Sequence, residues 1–444
     1  MVKNLTEGKP LNLLFFFALP MVAGNLFQQL YNMVDTAVVG KFVGEDAVAA
    51  VGSSFPIVFL SVAVASGLSM GCNVVVSQLF GARRIHEMKT TISTAIISLS
   101  VLGLIIMALG TVFAGPLLQL LGTDPDIMDD SRLYLRIYFG GAVFLFLYNT
   151  LNGIYNAQGD SKTPLIFLMI SSLTNIVLDF LLVGVLRGGI VGAASATVIS
   201  QMVGGIGPMF YFFNRKNSSL LHFVRPKFSA KALGNACANG SSELMTNLSA
   251  SLVSALYNLQ LMKLIGADGV AAYGVLMYVG FIFAAVFIGY AQGCAPIISY
   301  HYGAENHDEL KNLFRKSITM LAIAGVAMFA SAQLMATPLA KMFVGYDTGL
   351  MELTEHALKL YAFSFLLCGF NIFSSAFFTA LNNGAISAAI SFLRTLVFQV
   401  FAVLVLPMVL DIDGIWYALV FAEAAALLVS AALLVKNRNR YHYV

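Results

Sequence analysis

Charge is what this sequence has least of. Only 11% of its 444 residues are Asp, Glu, Lys or Arg, where a water-soluble domain carries about 25%. So little charge cannot wet a surface on all sides, which excludes an ordinary soluble globular protein. Cysteine is scarce too. Cys72, Cys237, Cys294 and Cys368 all fall in apolar stretches with no metal-ligand spacing, and read as reduced core residues. Neither cysteines nor histidines cluster, so zinc chemistry lacks a ligand set, and no lysine falls mid-span to activate a serine. No enzyme is expected. The net charge of +3 comes without a basic cluster interleaved by aromatics, which excludes nucleic acid as a partner.

What is there suits hydrocarbon. The chain is 59% hydrophobic with mean hydropathy +0.83. Hydropathy and breaker residues predict an all-α polytopic membrane protein with twelve spans, near 11–39, 47–79, 90–114, 133–156, 163–185, 190–213, 235–263, 269–300, 315–336, 357–381, 386–408 and 414–435. With both termini inside, seventeen of the 25 Lys and Arg face the cytoplasm and seven the outside, leaving Arg394 within a span. That bias predicts a plasma (inner) membrane protein with cytoplasmic termini.

The chain repeats itself. GEDAVAAVG at 44–52 matches GADGVAAYG at 266–274, an offset of 222 (266 − 44). At the same offset GLSMGCNVVVSQLFGARRIHEMK (67–89) matches GYAQGCAPIISYHYGAENHDELK (289–311). One residue later DPDIMDDSRLYLRIY (124–138) matches DTGLMELTEHALKLY (347–361). A collinear register from residue 44 to residue 138 marks a duplication. Six spans separate equivalent points, so the halves share a topology and form a parallel repeat of two six-helix bundles with a pseudo-two-fold axis along the membrane normal. The expected division is a first lobe at 1–213, a cytoplasmic linker at 214–234 and a second lobe at 235–444. Gly67/Gly71 and Gly289/Gly293 are small-xxx-small pairs where helices can approach closely.

The first span, LNLLFFFALPMVAGNLFQQLYNMVDTAVV, carries two residues foreign to a plain anchor. Pro20 removes a backbone donor and is expected to bend the helix. Asp35 puts a carboxyl group in hydrocarbon, at a cost of roughly 2.5–3.5 kcal/mol at a helix centre. Gln28, Tyr31 and Asn32 share its face. Asp35 on the first span, Asp179 on the fifth and Thr197 on the sixth lie at one depth in the outer half, and Asn175 is one turn below Asp179. Two carboxylates, an amide and a hydroxyl suit Na⁺ or a shared proton. The other reading of the four is a structural polar knot.

The second half does not copy this set. At the 222 offset Asp35 becomes Tyr257, and aligning Gly189 with Gly414 sets Thr197 against Ala422. Glu243 and Arg394 lie at similar depth in the inner half and are expected to pair, with Glu423 nearer the middle. A buried ion pair reads as structural. An acid left without the arginine reads as a second coupling or substrate-charge site.

Taken together, ALP and YNMVDTAVVG, GEDAVAAVG, NGIYNAQGDSKTP, TNIVLDF, GIVGAASAT, LYNLQLMKLIGADGVAAYG and GCAPIISYHYGA resemble the bacterial multidrug and toxic compound extrusion (MATE) transporters across essentially the whole chain. The resemblance implies two six-helix bundles around a central cavity, exporting organic, cationic and amphipathic compounds in exchange for H⁺ or Na⁺. It implies Asp35 as the coupling acid, Pro20 as the associated bend, and Asn175, Asp179 and Thr197 as the rest of the cation site. Glu243 resembles a seventh-helix acid used in some branches, while the tenth-helix acid of one branch has no counterpart within 357–381. No cofactor is expected beyond the coupling ion. The expected partners are small organic substrates and membrane lipid, and the expected state is a monomer. The rival reading is a lipid-linked-oligosaccharide flippase of the same superfamily. Such proteins need cavity cations for pyrophosphate, and here only Arg394 qualifies.

Overall fold

In hydrocarbon every backbone N–H and C=O must find its partner within the chain, so a sequence this apolar has helices or a closed barrel open to it. Its runs are too long and too little alternating for barrel strands. The computed structural model describes residues 10–121, 123–213 and 227–444, and among them every regular element is helical. Twelve rods follow in order. The first six are Pro10–Phe42, Glu45–Gly81, Ile85–Leu120, the pair Met128–Gly140 and Ala142–Ala157, Lys162–Val185, and Gly189–Phe213. The last six are Ala230–Leu264, Ala267–Gly303, His307–Val344, Thr348–Ala380, Gly384–Val405 and Pro407–Tyr441.

Among the described residues nine helices are long and apolar enough to cross a membrane, or ten with the bent fourth pair. That pair breaks by 48° between Gly140 and Ala142, and its first helix begins at Met128, earlier than the expected 133. The seventh rod is not among the nine. Asn235, Asn239, Glu243 and Asn247 recur along it at every fourth position, which gives one face a polar stripe.

The duplication is visible in the backbone. Glu45–Gly81 and Ala267–Gly303 differ by 222 at both ends. Ala142–Ala157 and Phe365–Ala380 differ by 223 at both ends. Gly44 and Gly266, the first residue of each repeated motif, have φ of 116° and 90° at the turn into the second helix of their half. Only glycine adopts that conformation without strain, so the turn explains why both motifs open on it. Arg83 and Glu305, again 222 apart, both have φ of 55°.

The chain divides into two compact units. One is Ala23–Leu244; the other is Met245–Val444 together with the first helix as far as Val22. The expected linker at 214–234 lies mostly outside the described residues. The division falls inside the first and seventh helices, two residues beyond Pro20 in the first.

Within the first unit, Gly67 and Gly71 of the second helix meet the seventh. A Cβ on Gly71 would strike the Ala236 carbonyl, and one on Gly67 would lie 2.9 Å from the Gly240 carbonyl. Within the second unit, a Cβ on Gly289 would lie 2.6 Å from Val22 Cα and one on Gly293 2.6 Å from Ala18 Cα. Both small-residue pairs therefore do what their spacing predicts: they let backbones touch.

The second unit has a large apolar core that includes Tyr257, Tyr273, Ala402, Val403 and Trp416. Large apolar side chains such as Val112, Leu120, Leu334 and Leu428 are left exposed, as hydrocarbon allows. Cys72, Cys294 and Cys368 are buried, but Cys237 is exposed, contrary to its reading as a core residue.

Candidate functional site: a carboxyl pair in the first unit

The fifth rod is α-helical from Lys162 to Leu178 and then widens into a π-helical segment, Asp179–Val185. Such segments are uncommon and often mark functional positions. Asn175, one turn before it, and Asp179, its first residue, are both 0% exposed. Asn175 is oriented so that its amide nitrogen donates to Asp179 Oδ2 at 2.8 Å and its oxygen accepts from the Thr197 N–H at 3.2 Å. Thr197 is buried, and its hydroxyl donates to the Ala193 carbonyl at 3.1 Å. Its oxygen lone pairs stay free of that bond.

Asp35 completes the group. Its carboxyl faces that of Asp179 within hydrogen-bonding reach. Yet Asp35 Oδ1 and Asp179 Oδ1 are buried and receive no donor from the rest of the described protein. Two carboxylates cannot both stay charged and unscreened at such range; the contact needs a proton or a cation between them. The four residues expected to cluster are thus brought together from the first, fifth and sixth rods. Side chains of Tyr31 and Asn32 lie outside those described.

One neighbour was missed in the sequence. Tyr134 lies within electrostatic range of both Asp35 and Asp179 and stacks on Tyr138 at 6.2 Å. The expected fourth span began at 133, which left Tyr134 at its very end. The helix begins at Met128, which carries Tyr134 well inside. Val39, Val183, Ile190 and Ala193 pack with Tyr134 in one buried cluster.

Pro20 lies within a helix that continues without interruption from Pro10 to Phe42.

The inner-half charges require a correction. Arg394 is paired with Glu423: Nε donates to Oε1 at 2.8 Å and to Oε2 at 3.0 Å, and Nη2 lies 2.7 Å from Oε1. Glu243, its expected partner, belongs to the first unit, where its Cβ stands 3.7 Å from the place a Cβ on Gly67 would take. Depth counted from span ends put Glu243 and Arg394 level. It carried no information on which helices are neighbours. Asn371, unflagged in the sequence, donates to Glu423 Oε2 at 2.7 Å and to the Glu423 carbonyl at 2.9 Å.

The profile of the MatE family matches residues 20–181 and 244–404, once in each half. The chain belongs to the MatE family. It is therefore a multi-pass membrane transporter and not an enzyme. Among curated relatives, the probable multidrug resistance protein YoeA of Bacillus subtilis (strain 168) is 27% identical over 362 residues, 80% of this chain and 77% of the relative. The multidrug export protein MepA of Staphylococcus aureus (strain bovine RF122 / ET3-1) is 21% identical over 424 residues, 96% of this chain and 93% of the relative. Among solved structures, the outward-facing conformation of a multidrug resistance MATE family transporter of the MOP superfamily superposes with a TM-score of 0.93. It is 23% identical and covers 99% of this chain and 98% of the other. At that identity the likeness concerns the fold, and the MatE fold is all-helical, as this chain is.

Proposed function

We propose that this MatE chain exports small organic compounds, cationic and amphipathic ones among them, in exchange for a cation taken up between Asp35 and Asp179. The observation that carries the reading is the carboxyl–carboxyl contact with two buried oxygens that no donor among the described residues reaches. H⁺ satisfies it by bridging the carboxyl groups. Na⁺ satisfies it by drawing on the same oxygens, with the Asn175 carbonyl and the Thr197 hydroxyl as neutral ligands. The cation is the exchanged species rather than a resident cofactor, and none other is proposed.

Binding removes repulsion between the carboxylates and so favours the arrangement in which they meet; losing the cation favours their separation. Asp35 sits on the helix that is divided between the compact units just beyond Pro20. A shift at Asp35 is therefore taken up along that helix, with Pro20 as the place where the backbone yields. Termini in the cytoplasm, a monomer in lipid and the plasma membrane complete the proposal. The flippase reading loses its one asset, because Arg394 is neutralised by Glu423 and a pyrophosphate would need several free cations.

The test is transport by proteoliposomes. An imposed inward H⁺ or Na⁺ gradient should drive efflux of a fluorescent organic cation, and the ion that drives it is the coupling ion. Dye flux indifferent to both gradients would overturn the proposal.

A further inference from the structure

The two halves build one helix crossing with different charges. Gly115 and Thr337 hold the same register position on the third and ninth rods, 222 apart, each just before a proline, Pro116 or Pro338. On the fourth and tenth rods Arg132 matches Glu355, and Arg136 matches Lys359, at an offset of 223 (355 − 132 and 359 − 136).

In the second half the crossing closes on itself. The Thr337 hydroxyl donates to Glu355 Oε1 at 2.9 Å, and Lys359 Nζ donates to the same oxygen at 2.6 Å. One acid, one cation and one hydroxyl satisfy each other.

In the first half the acid is gone and glycine stands in place of threonine. The Arg132 guanidinium lies against that glycine: a Cβ on Gly115 would come to 2.9 Å from Nε and 3.1 Å from Nη2. Glycine makes room for the fork and offers it no side-chain acceptor. Arg132 Nε is buried and has no partner among the described residues. Asp129 comes only to 3.9 Å from Nη1, beyond hydrogen-bonding range, and its side chain is 98% exposed, so it neutralises little. Arg136, one turn further on, is exposed and forms no ion pair among the described residues. Two guanidiniums therefore stand where the other half has a neutral knot.

Their surroundings indicate what balances them. Val112, Phe113 and Leu120 of the third rod and Leu133 of the fourth are exposed large apolar side chains, a surface made for acyl chains. The exposed acids Asp126, Asp129 and Asp130 lie at the start of the fourth rod, ahead of both arginines. A dissolved anion has no use for the apolar wall. A phospholipid uses both parts, with its phosphate on the guanidinium forks and its chains on the wall.

We propose that Arg132 and Arg136 hold the phosphodiester of an anionic phospholipid, whose acyl chains run down the exposed apolar faces of the third and fourth rods. The first half then takes from the bilayer the negative charge that Glu355 supplies in the second. In the orientation proposed above, this lipid belongs to the outer leaflet. The site does not rest on the export reading.

The test is photolabelling of the purified protein in detergent with phosphatidylglycerol that carries a diazirine in its head group, followed by peptide mapping. Wild type should be labelled on peptides from 111–121 and 128–140. Unlabelled phosphatidylglycerol should suppress that label, phosphatidylcholine about tenfold less effectively, and inorganic phosphate not at all. Arg132→Gln/Arg136→Gln should lower it about tenfold or more, the loss of charge-assisted hydrogen bonds, against label elsewhere on the chain as the reference. Lys359→Gln, the matching change in the closed half, should leave it unchanged. Gly115→Thr/Arg132→Glu/Arg136→Lys, which writes the closed knot into the first half, should fold and lose the label. Should the multiple variants not fold, Arg136→Gln alone, at an exposed side chain without an ion pair, should lower the label severalfold. No label at this crossing in wild type, the same label in the Arg136→Gln protein, or suppression by phosphatidylcholine or inorganic phosphate equal to that by phosphatidylglycerol would overturn the inference.

Discussion

Asp35 and Tyr257 hold the same register position in the two halves and have opposite surroundings. Asp35 faces the Asp179 carboxyl. Tyr257 lies flat on Tyr273 at 4.8 Å, in an apolar core that holds Ala402, where the 223 offset would place a second Asp179. Ala422, the counterpart of Thr197, is 0% exposed. One fold has been built twice, once with an ionisable site and once with that site packed shut.

Asp35→Asn keeps the size and much of the hydrogen bonding of the acid but cannot ionise. Folding should survive, and gradient-driven efflux should fall at least about tenfold, the equivalent of ~1.4 kcal/mol. Tyr257→Phe, the matching change in the closed half, should leave efflux near wild type. Proteoliposome flux at matched protein content decides. An Asp35→Asn protein with wild-type flux would move the coupling site elsewhere, with Glu243 the first candidate.

The four ligands should also rank. Asp179→Asn should match Asp35→Asn, because in the proposed mechanism the carboxyl groups act on one cation. Asn175→Ala removes both the donor to Asp179 at 2.8 Å and the acceptor for the Thr197 N–H, and should rank second. Thr197→Ala removes one neutral oxygen and should cost least. The concentration of cation giving half-maximal flux should rise in the reverse of that order.

Arg394→Ala should destabilise strongly, by about 3–5 kcal/mol, because it leaves Glu423 buried and unpaired. Arg394→Gln/Glu423→Gln should recover part of that loss. Thermal unfolding in detergent measures both. A lone Arg394→Ala as stable as wild type would show that water already reaches Glu423.

Much of this was legible in sequence because membrane helices obey simple periodic rules. Asp35, Asn175, Asp179 and Thr197 were found from depth and facing, and the structure brings them together. Depth works where span ends are right, and it failed for Tyr134, whose helix starts five residues earlier than hydropathy indicates (133 − 128). It failed differently for Arg394. Depth set Glu243 level with it and Glu423 nearer the middle, and packing pairs it with Glu423 instead. Asn371 gave no signal, since an isolated asparagine in an apolar run is as readily a helix–helix contact as part of an ion-pair network.

The proposed orientation, with both termini in the cytoplasm, rests on the distribution of Lys and Arg. A fluorescent protein fused after Val444 should fluoresce in cells of a bacterial host, and alkaline phosphatase fused there should stay inactive. The opposite pattern would invert the topology and place the Asp35 cluster towards the inner face.

Four glycines give a test with its own control. A methyl group on Gly71 would drive into the Ala236 carbonyl, and one on Gly293 would come to 2.6 Å from Ala18 Cα. Both obstacles are backbone, which cannot rotate away, so each substitution must push two helices apart. Overpacking of this kind costs about 1–3 kcal/mol, more than the up to ~1 kcal/mol that alanine gains over glycine in a helix. Gly52 and Gly274 lie on the same two helices, also 222 apart, and a Cβ on either meets nothing within 4 Å. Gly71→Ala and Gly293→Ala should therefore lower the unfolding temperature, while Gly52→Ala and Gly274→Ala should leave it unchanged or raise it. Equal behaviour of the two pairs would mean that the helices are not in backbone contact at Gly71 and Gly293, and that the repeated glycines serve conformation rather than close packing.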